Sequence, residues 1–339
     1  MSDGLSAETS PKICSVCVLP ETFPGIRFNS AGVCNFCLES QSARRQHRKT
    51  EYQAKFARLI QANRGGTYDA IMCYSGGKDS TYTLKILKEK YTLSVLAVTF
   101  DNGFVPDQTR RNILNVVERL GVDHIMFKPN LRVLSKIFGY CAEHEIFSAK
   151  SAERASTICT ACMSIIKFTT LRLALEQRVP LIAFGWSPGQ APITSSIMKN
   201  NPGMVKMMQK AVFDPLLEVA GPDIRPYFLE ERHFSGEYSF PYNVHPLAFL
   251  DYNEAAIYAS IEELGWLAPA DVDANSTNCS LNSFANVVHK KRLRFHPYAF
   301  ELAGLVREGY MDRSLALSRL QSEEDPRIVR AVKERLNLR

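Results

Sequence analysis

The sequence predicts a doubly wound α/β protein built on a parallel sheet. One observation is an apolar run, Tyr68 to Tyr74, that ends at Ser75-Gly76-Gly77-Lys78-Asp79-Ser80 and leads into a helical pattern from Thr81 to Tyr91. A buried parallel strand reads as a short unbroken apolar run, and a helix as a 3.6-residue stripe. The other observation is that the alternation repeats. Leu93 to Phe100 is a second strand, about Gln108 to Leu120 a helix, His124 to Lys128 a third strand, and Val179 to Phe184 a fourth. Alternating strands and helices imply a parallel sheet covered on both faces.

The turn at Ser75 to Ser80 has the makings of an anion site. Gly76 and Gly77 allow dihedrals and close approach that a side chain would block. Ser75 and Ser80 offer hydroxyls, Lys78 a charge, and the helix start its dipole. The spacing is not that of a Walker loop. In such sheets ligands lie beyond the carboxyl ends of the strands, at the point where strand order reverses. Asp101-Asn102-Gly103 and Gly185 both follow strands, so they are expected to border the same ligand, with the main chain of Val98 to Phe100 beside it.

The chain has 339 residues, 45% hydrophobic and 22% charged, with a net charge of +6. That size allows about two domains. No apolar run approaches the ~20 residues of a membrane span, and Met1 to Pro11 carries no apolar signal core. A cytoplasmic protein is expected. Nine cysteines then point to metal or redox chemistry more than to disulfides.

Four of them form Cys14-x2-Cys17, sixteen residues, then Cys34-x2-Cys37. Two such knuckles predict a closed four-thiolate site for structural Zn2+, with a rubredoxin-like iron site as the other option. Residues 39 to 62 predict a basic helix. Its Arg44, Arg45, His47, Arg48 and Lys49 read as a solvated face ahead of an RNA contact. A helix is expected over 130 to 150, with Cys141 in its core and Cys73 packed inside the first strand. Residues 191 to 246 are rich in Met, Pro and Gly and weakly periodic. Met198, Met204, Met207 and Met208 suit an apolar lid or core filling. Arg225, Arg232, His233 and Tyr242 are candidates to meet a polar substrate. Asn253 to Leu264 predicts a helix capped by Asn253 and stopped by Gly265. The tail from Phe284 to Leu338 reads as helical.

Cys159 and Cys162 open a helix, where the dipole favours thiolate. Cys279 stands alone in a polar stretch, Ser276 to Asn282.

Tyr74 to Ser80 matches the SGGxDS loop of the PP-loop ATP pyrophosphatases, and the chain resembles that superfamily. The resemblance implies a HUP-like domain that binds ATP and cuts it between the α and β phosphates. Ser75, Gly76, Gly77, Lys78, Asp79 and Ser80 would hold the phosphates, with Asp101 and Gly185 nearby. Lys78 would steady the leaving pyrophosphate, and Asp79 would position Mg2+. The trio Cys159, Cys162 and Cys279 resembles the three-cysteine site of PP-loop tRNA thiolation enzymes, which implies a 4Fe-4S cluster with one open iron. Those enzymes usually carry a Gly-His-Asn-x-x-Asp-like segment after the following strand. Here it is Gly185-Trp186-Ser187-Pro188-Gly189-Gln190.

A further resemblance runs along nearly the whole chain, to the N-acetyl sugar amidotransferases of surface-polysaccharide synthesis. It rests on Cys14 to Thr22, Pro24 to Phe28, Gly32 to Cys37, Tyr74 to Ser80, Pro180 to Gly185, Glu263 to Trp266 and Val306 to Arg313. It implies an enzyme that adenylates a carbonyl or amide oxygen of a small molecule such as a nucleotide sugar. Ammonia from a partner glutaminase would then displace AMP. The alternative is a sulfurtransferase fed by a sulfur-donor partner, acting on tRNA or a small molecule. A non-catalytic nucleotide-binding protein comes third. The expected organisation is a zinc module over 1–50, an ATP-binding domain over 51–190 and a substrate-binding, helical region over 191–339. A homodimer fits such folds, and no membrane contact is expected.

Overall fold

In the strand Ala70–Cys73 (β1), Ala70 and Met72 enter one apolar core and Ile71 enters another. Val95–Phe100 (β2) and Leu181–Phe184 (β4) divide their side chains the same way. Successive strand residues face opposite sides, so this alternation means that both faces are covered. The computed structural model describes residues 11–40, 45–190 and 192–338, without the side chains of 45–47. Arg44 therefore lies outside the described residues, as do the side chains of Arg45 and His47.

The sheet has six strands, completed by Asp123–Phe127 (β3), Ile197–Lys199 (β5) and Tyr242–Val244 (β6). Its order is β3-β2-β1-β4-β6-β5, parallel except for β5 against β6. The chain therefore winds outward from β1 to β3 and returns to the other side of β1 with β4. The switch point lies between β1 and β4, where strand order reverses. β3 is an edge strand, which is why its residues are partly exposed.

The crossovers are helices. Lys78–Lys85 (α2) follows the glycine turn and widens into a π-helical turn over Ile86–Lys90. Asp107–Leu120 (α3) ends at Gly121 in the left-handed region, and Leu131–Glu143 (α4) is capped by Asn130. Thr157–Glu176 (α5) is capped by Ser156. Its 20 residues are apolar enough to cross a membrane by length and composition, which the sequence reading missed. Half of that window is buried, because it is the central packing helix of one face.

Residues 191 to 246 are more regular than their composition suggested. They hold β5, a helix Pro202–Ala220 (α6), short 3-10 turns and β6. Met204, Met207 and Met208 lie on α6 and Met198 on β5, and all four are exposed, so they are not core filling. Arg232 and His233 are tied to Glu176. Glu254–Glu262 (α7) is capped by the Asn253 side chain, and Gly265 follows it with φ +74°. Leu281–Leu293 (α8), Ala299–Arg307 (α9), Arg313–Gln321 (α10) and Pro326–Arg335 (α11) form the helical tail.

The N-terminal cysteine segment packs on that tail. Phe23 meets Phe295 edge-on at 5.2 Å and stacks on Phe300 at 5.8 Å. Arg313 donates to the carbonyls of Cys17 and Cys14 at 3.0 and 2.8 Å. The helix Arg45–Asn63 (α1) connects it to the sheet. Lys49 on α1 is buried, with its ammonium 3.2 Å from Asp251, so this part of the basic run is structural.

Candidate functional site

The loop between β1 and α2 is closed on itself by hydroxyls. Ser75 and Ser80 Oγ are 3.0 Å apart, and the Ser75 N–H donates to Ser80 Oγ at 3.3 Å. The Gly77 N–H donates to Ser75 Oγ at 3.4 Å, and the Lys78 N–H to Thr277 Oγ1 at 3.0 Å. These N–H groups hold neutral oxygens where a charged oxygen would bind more strongly. Gly76 has φ +77°, and a Cβ there would lie 2.6 Å from Ile113, so only glycine fits. Trp266 pins the same residue by donating from Nε1 to its carbonyl at 2.8 Å. A Cβ on Gly185 would collide with the main chain of Ser80. The segment after β4 therefore lies directly against the start of α2, which places Gly185 beside the loop as expected.

Lys78 is less free than expected. Its ammonium lies 2.9 Å from Asp79 Oδ2, 3.0 Å from the Tyr252 hydroxyl and 3.3 Å from Glu254 Oε1. Glu254 is in turn paired with Arg319. Burial pulls the Lys78 pKa down, but Asp79, Tyr252 and Glu254 carry it well above the ordinary lysine value. Lys78 is a neutralised cation that orients Asp79, and the positive end of the loop is its main chain and helix start.

Asp101 is also committed elsewhere. Burial opposes its charge, yet Arg110 binds both its oxygens at 3.0 and 3.1 Å and the Gly103 N–H adds a third bond, so its pKa is lowered. It fixes the turn after β2 in place. The Val98 carbonyl, expected beside the ligand, accepts from the Tyr74 N–H within the sheet. The turn presents Asn102 instead, which the sequence placed beside the ligand only as part of the Asp101–Gly103 run and gave no contact with the cysteines.

Asn102 Nδ2 lies 3.6 Å from Cys162 Sγ and 3.4 Å from Cys279 Sγ. Cys159, on the first turn of α5 and about one turn before Cys162, gives its thiol to Asn282 Oδ1 at 3.4 Å. The three cysteines are thus brought together from α5 and the segment before α8. Burial pushes Cys159 up to about 12 and raises Cys162 and Cys279 as well; charge from Cys279 raises the other two further. Such thiols ionise at neutral pH only with a cation among them. They are set wider than the ligands of one ion. Among the described residues, the only group of three or more ligand atoms drawn within 4.8 Å is Cys14, Cys17, Cys34 and Cys37. A wide three-thiol set fits a multi-iron cluster better than a single ion.

That N-terminal group fits a single ion. Cys14 and Cys37 Sγ are 3.8 Å apart, and Cys17 and Cys34 Sγ 3.7 Å. A tetrahedron of thiolates at a metal–sulfur distance of about 2.3 Å has edges of about 3.8 Å. Main-chain N–H groups of Cys17 and Cys34 point at Cys14 Sγ. Zinc and iron share this geometry.

Two polar clusters missed by the sequence complete this region. Asn282 donates to Asp273 at 2.6 Å and to the Tyr298 hydroxyl at 2.9 Å. Ser187 donates to Glu301 at 2.6 Å. Burial raises the Glu301 carboxyl from its ordinary 4.5 to about 7, with Ser187 opposing and the Asp79 charge adding. The native state then keeps a proton that the unfolded chain releases. Stability from this group is greatest below pH 4.5 and is lost as pH rises to about 7. In Glu301→Gln the hydrogen bond can remain without titration. The melting temperature of the variant should gain on the parent between pH 5 and 8, and parallel curves would contradict this.

The fold and site define an α/β protein with a glycine loop at the sheet's switch point and a four-cysteine group near the N-terminus. No family model matches the chain. It is 24% identical over 327 residues to the uncharacterized protein MJ1599 of Methanocaldococcus jannaschii, across 96% of this chain and 98% of that one. Among solved structures it matches the U34-tRNA thiolase NcsA of Methanococcus maripaludis with its [4Fe-4S] cluster, at 16% identity and TM-score 0.37, covering 98% of this chain and 100% of that one. A predicted tRNA methyltransferase subunit of Methanocaldococcus jannaschii matches at 15% identity and TM-score 0.32, over 68% of this chain and 91% of that one. None of the three is described as an amidotransferase.

Proposed function

We propose that the chain is an ATP-dependent sulfurtransferase that adenylates a carbonyl oxygen and replaces it with sulfur. One observation carries this reading. Thr277 receives the Lys78 N–H, and Cys279, two residues on, meets Cys162 across Asn102. One short segment therefore touches both the phosphate loop and the three thiols. An amidotransferase needs the first of these centres and has no chemical use for the second, which is why sulfur transfer is placed ahead of the amide reading.

The β and γ phosphates of ATP would take the N–H groups of the Ser75–Ser80 loop, displacing the hydroxyl of Thr277. Asp79 would hold Mg2+, which supplies charge neutralisation on the phosphates. The acceptor oxygen attacks the α phosphorus, the α–β bridge breaks, and pyrophosphate leaves against the helix start. Hydrosulfide then forms the C–S bond, and AMP departs with the former carbonyl oxygen. Cys159, Cys162 and Cys279 would hold a 4Fe-4S cluster, which supplies an open iron for sulfide. Cys14, Cys17, Cys34 and Cys37 would hold Zn2+ and brace the tail. On this reading residues 51–190 serve ATP, and 191–339 complete the acceptor site.

The test is ATP turnover by anaerobically purified protein with sulfide and, in separate arms, a small-molecule extract or RNA. AMP and pyrophosphate are expected in one arm, with sulfur in the product. ADP and phosphate would contradict the reading, and AMP formed with ammonia but not sulfide would restore amidotransfer.

A further inference from the structure

Trp186 is the first residue after Gly185, which packs on Ser80. Cys73 pairs with Phe184 in the parallel register. Ser75 and Trp186 each lie two residues beyond that pair, on opposite sides of the β1/β4 crevice. The indole stacks on the His245 imidazole at 4.4 Å and 15°, with Phe184 tilted against the side of both. It is nonetheless 38% exposed. The imidazole covers one face, so the exposed surface is the opposite face and the edge.

Two polar groups nearby lack partners. His245 is buried at 6% exposure, and its Nδ1 meets no hydrogen-bond partner among the described residues. Lys167, half-buried on α5, makes no ion pair or hydrogen bond among the described residues and only lies 6.0 Å over the Phe168 ring. The helix α5 that carries Lys167 packs on β4 and β1, whose ends frame the crevice; burial lowers the pKa of both groups, and the Lys167 charge adds to the effect on His245. A half-exposed aromatic face beside an unpaired amine is suited to a flat ligand with a polar edge.

We propose that Trp186, backed by His245, is a stacking platform for a planar heteroaromatic ring, and that Lys167 donates to an acceptor atom in the plane of that ring. This rests on the adenylating reading above, because the platform stands at the end of β4, on the crevice assigned to ATP. The ring is that of the acceptor substrate or the adenine of the nucleotide. Either supplies a π face and in-plane nitrogen or oxygen acceptors.

The chain has two tryptophans, and Trp266 is 1% exposed and bonded to Gly76. Intrinsic fluorescence of the full chain therefore separates an exposed emitter from a buried one. UMP and AMP are titrated separately, with ribose 5-phosphate as the control lacking a ring. At least twofold loss of the exposed emission is expected for UMP or AMP and none for ribose 5-phosphate. Trp186→Leu should abolish the change and keep the buried emission, which reports that the chain is folded. Lys167→Met should weaken the response at least tenfold in concentration. Repeating the titration on protein saturated with the non-cleavable analogue AMPcPP identifies the source. UMP quenching that persists assigns the platform to the acceptor, and quenching by AMPcPP that blocks UMP assigns it to adenine. No quenching by either ring, or equal quenching by ribose 5-phosphate, overturns the proposal. Calorimetry with AMPcPP separates the two failures. Binding without quenching removes the platform alone, whereas absent binding removes the adenylating reading beneath it.

Discussion

Cys34→Ser is expected to empty the N-terminal metal site and to lower the melting temperature by about 5–10 °C, since a structural four-thiolate ion contributes its binding energy to folding. Cys34 is fully buried, and its sulfur lies 3.7 Å from that of Cys17. A hydroxyl is a poor ligand for an ion chosen by thiolates. Without the ion, burial and the neighbouring thiols push Cys17 up to about 11 and Cys37 further. The loss should spread to the tail, because Arg313 and the Phe23–Phe295–Phe300 contacts depend on the same knuckles. Metal analysis and calorimetry of parent and variant check this. Unchanged metal content would place the ion elsewhere.

Cys279→Ala is expected to have the larger effect on chemistry. It should remove iron and sulfide from anaerobically purified protein and reduce sulfur incorporation at least about 100-fold, because loss of an outer partner alone costs about 10–100-fold and a ligand costs more. The ion proposed at Cys14, Cys17, Cys34 and Cys37 should stay. Asn102→Ala, which removes the amide shared by Cys162 and Cys279, should fall within that smaller range. AMPcPP binding by Cys279→Ala should survive, since the loop keeps its own N–H groups. Iron content equal to the parent's in Cys279→Ala would dissolve the trio.

The parts of this molecule legible in the sequence are those whose signal is local. The glycine turn between an apolar run and a helical stripe, and the paired knuckles at Cys14 and Cys34, declare themselves within a few dozen residues. The cap at Asn253 is local too, and its side chain accepts the expected N–H; Asn130 and Ser156, which the sequence reading missed as caps, cap their helices in the same way. α6 was hidden by Pro202, Gly203 and Pro215, although Asn201 before a first-turn proline is itself a start signal. The commitments of Asp101 and Lys78 were not legible, because their partners Arg110, Tyr252 and Glu254 are chosen by tertiary packing. The contacts of Asn102, Asn282 and Glu301 follow no spacing rule, since the turn after β2, α8 and α9 meet their partners only after folding.

A crystal structure of the chain with AMPcPP and Mg2+ is the most direct measurement. The β and γ phosphates should lie on the N–H groups of Ser75 to Ser80 at the β1/β4 crevice, with Thr277 displaced from the Lys78 N–H. Nucleotide bound at any other surface, with that loop still closed by its own hydroxyls, would contradict the assignment of the loop as the seat of ATP.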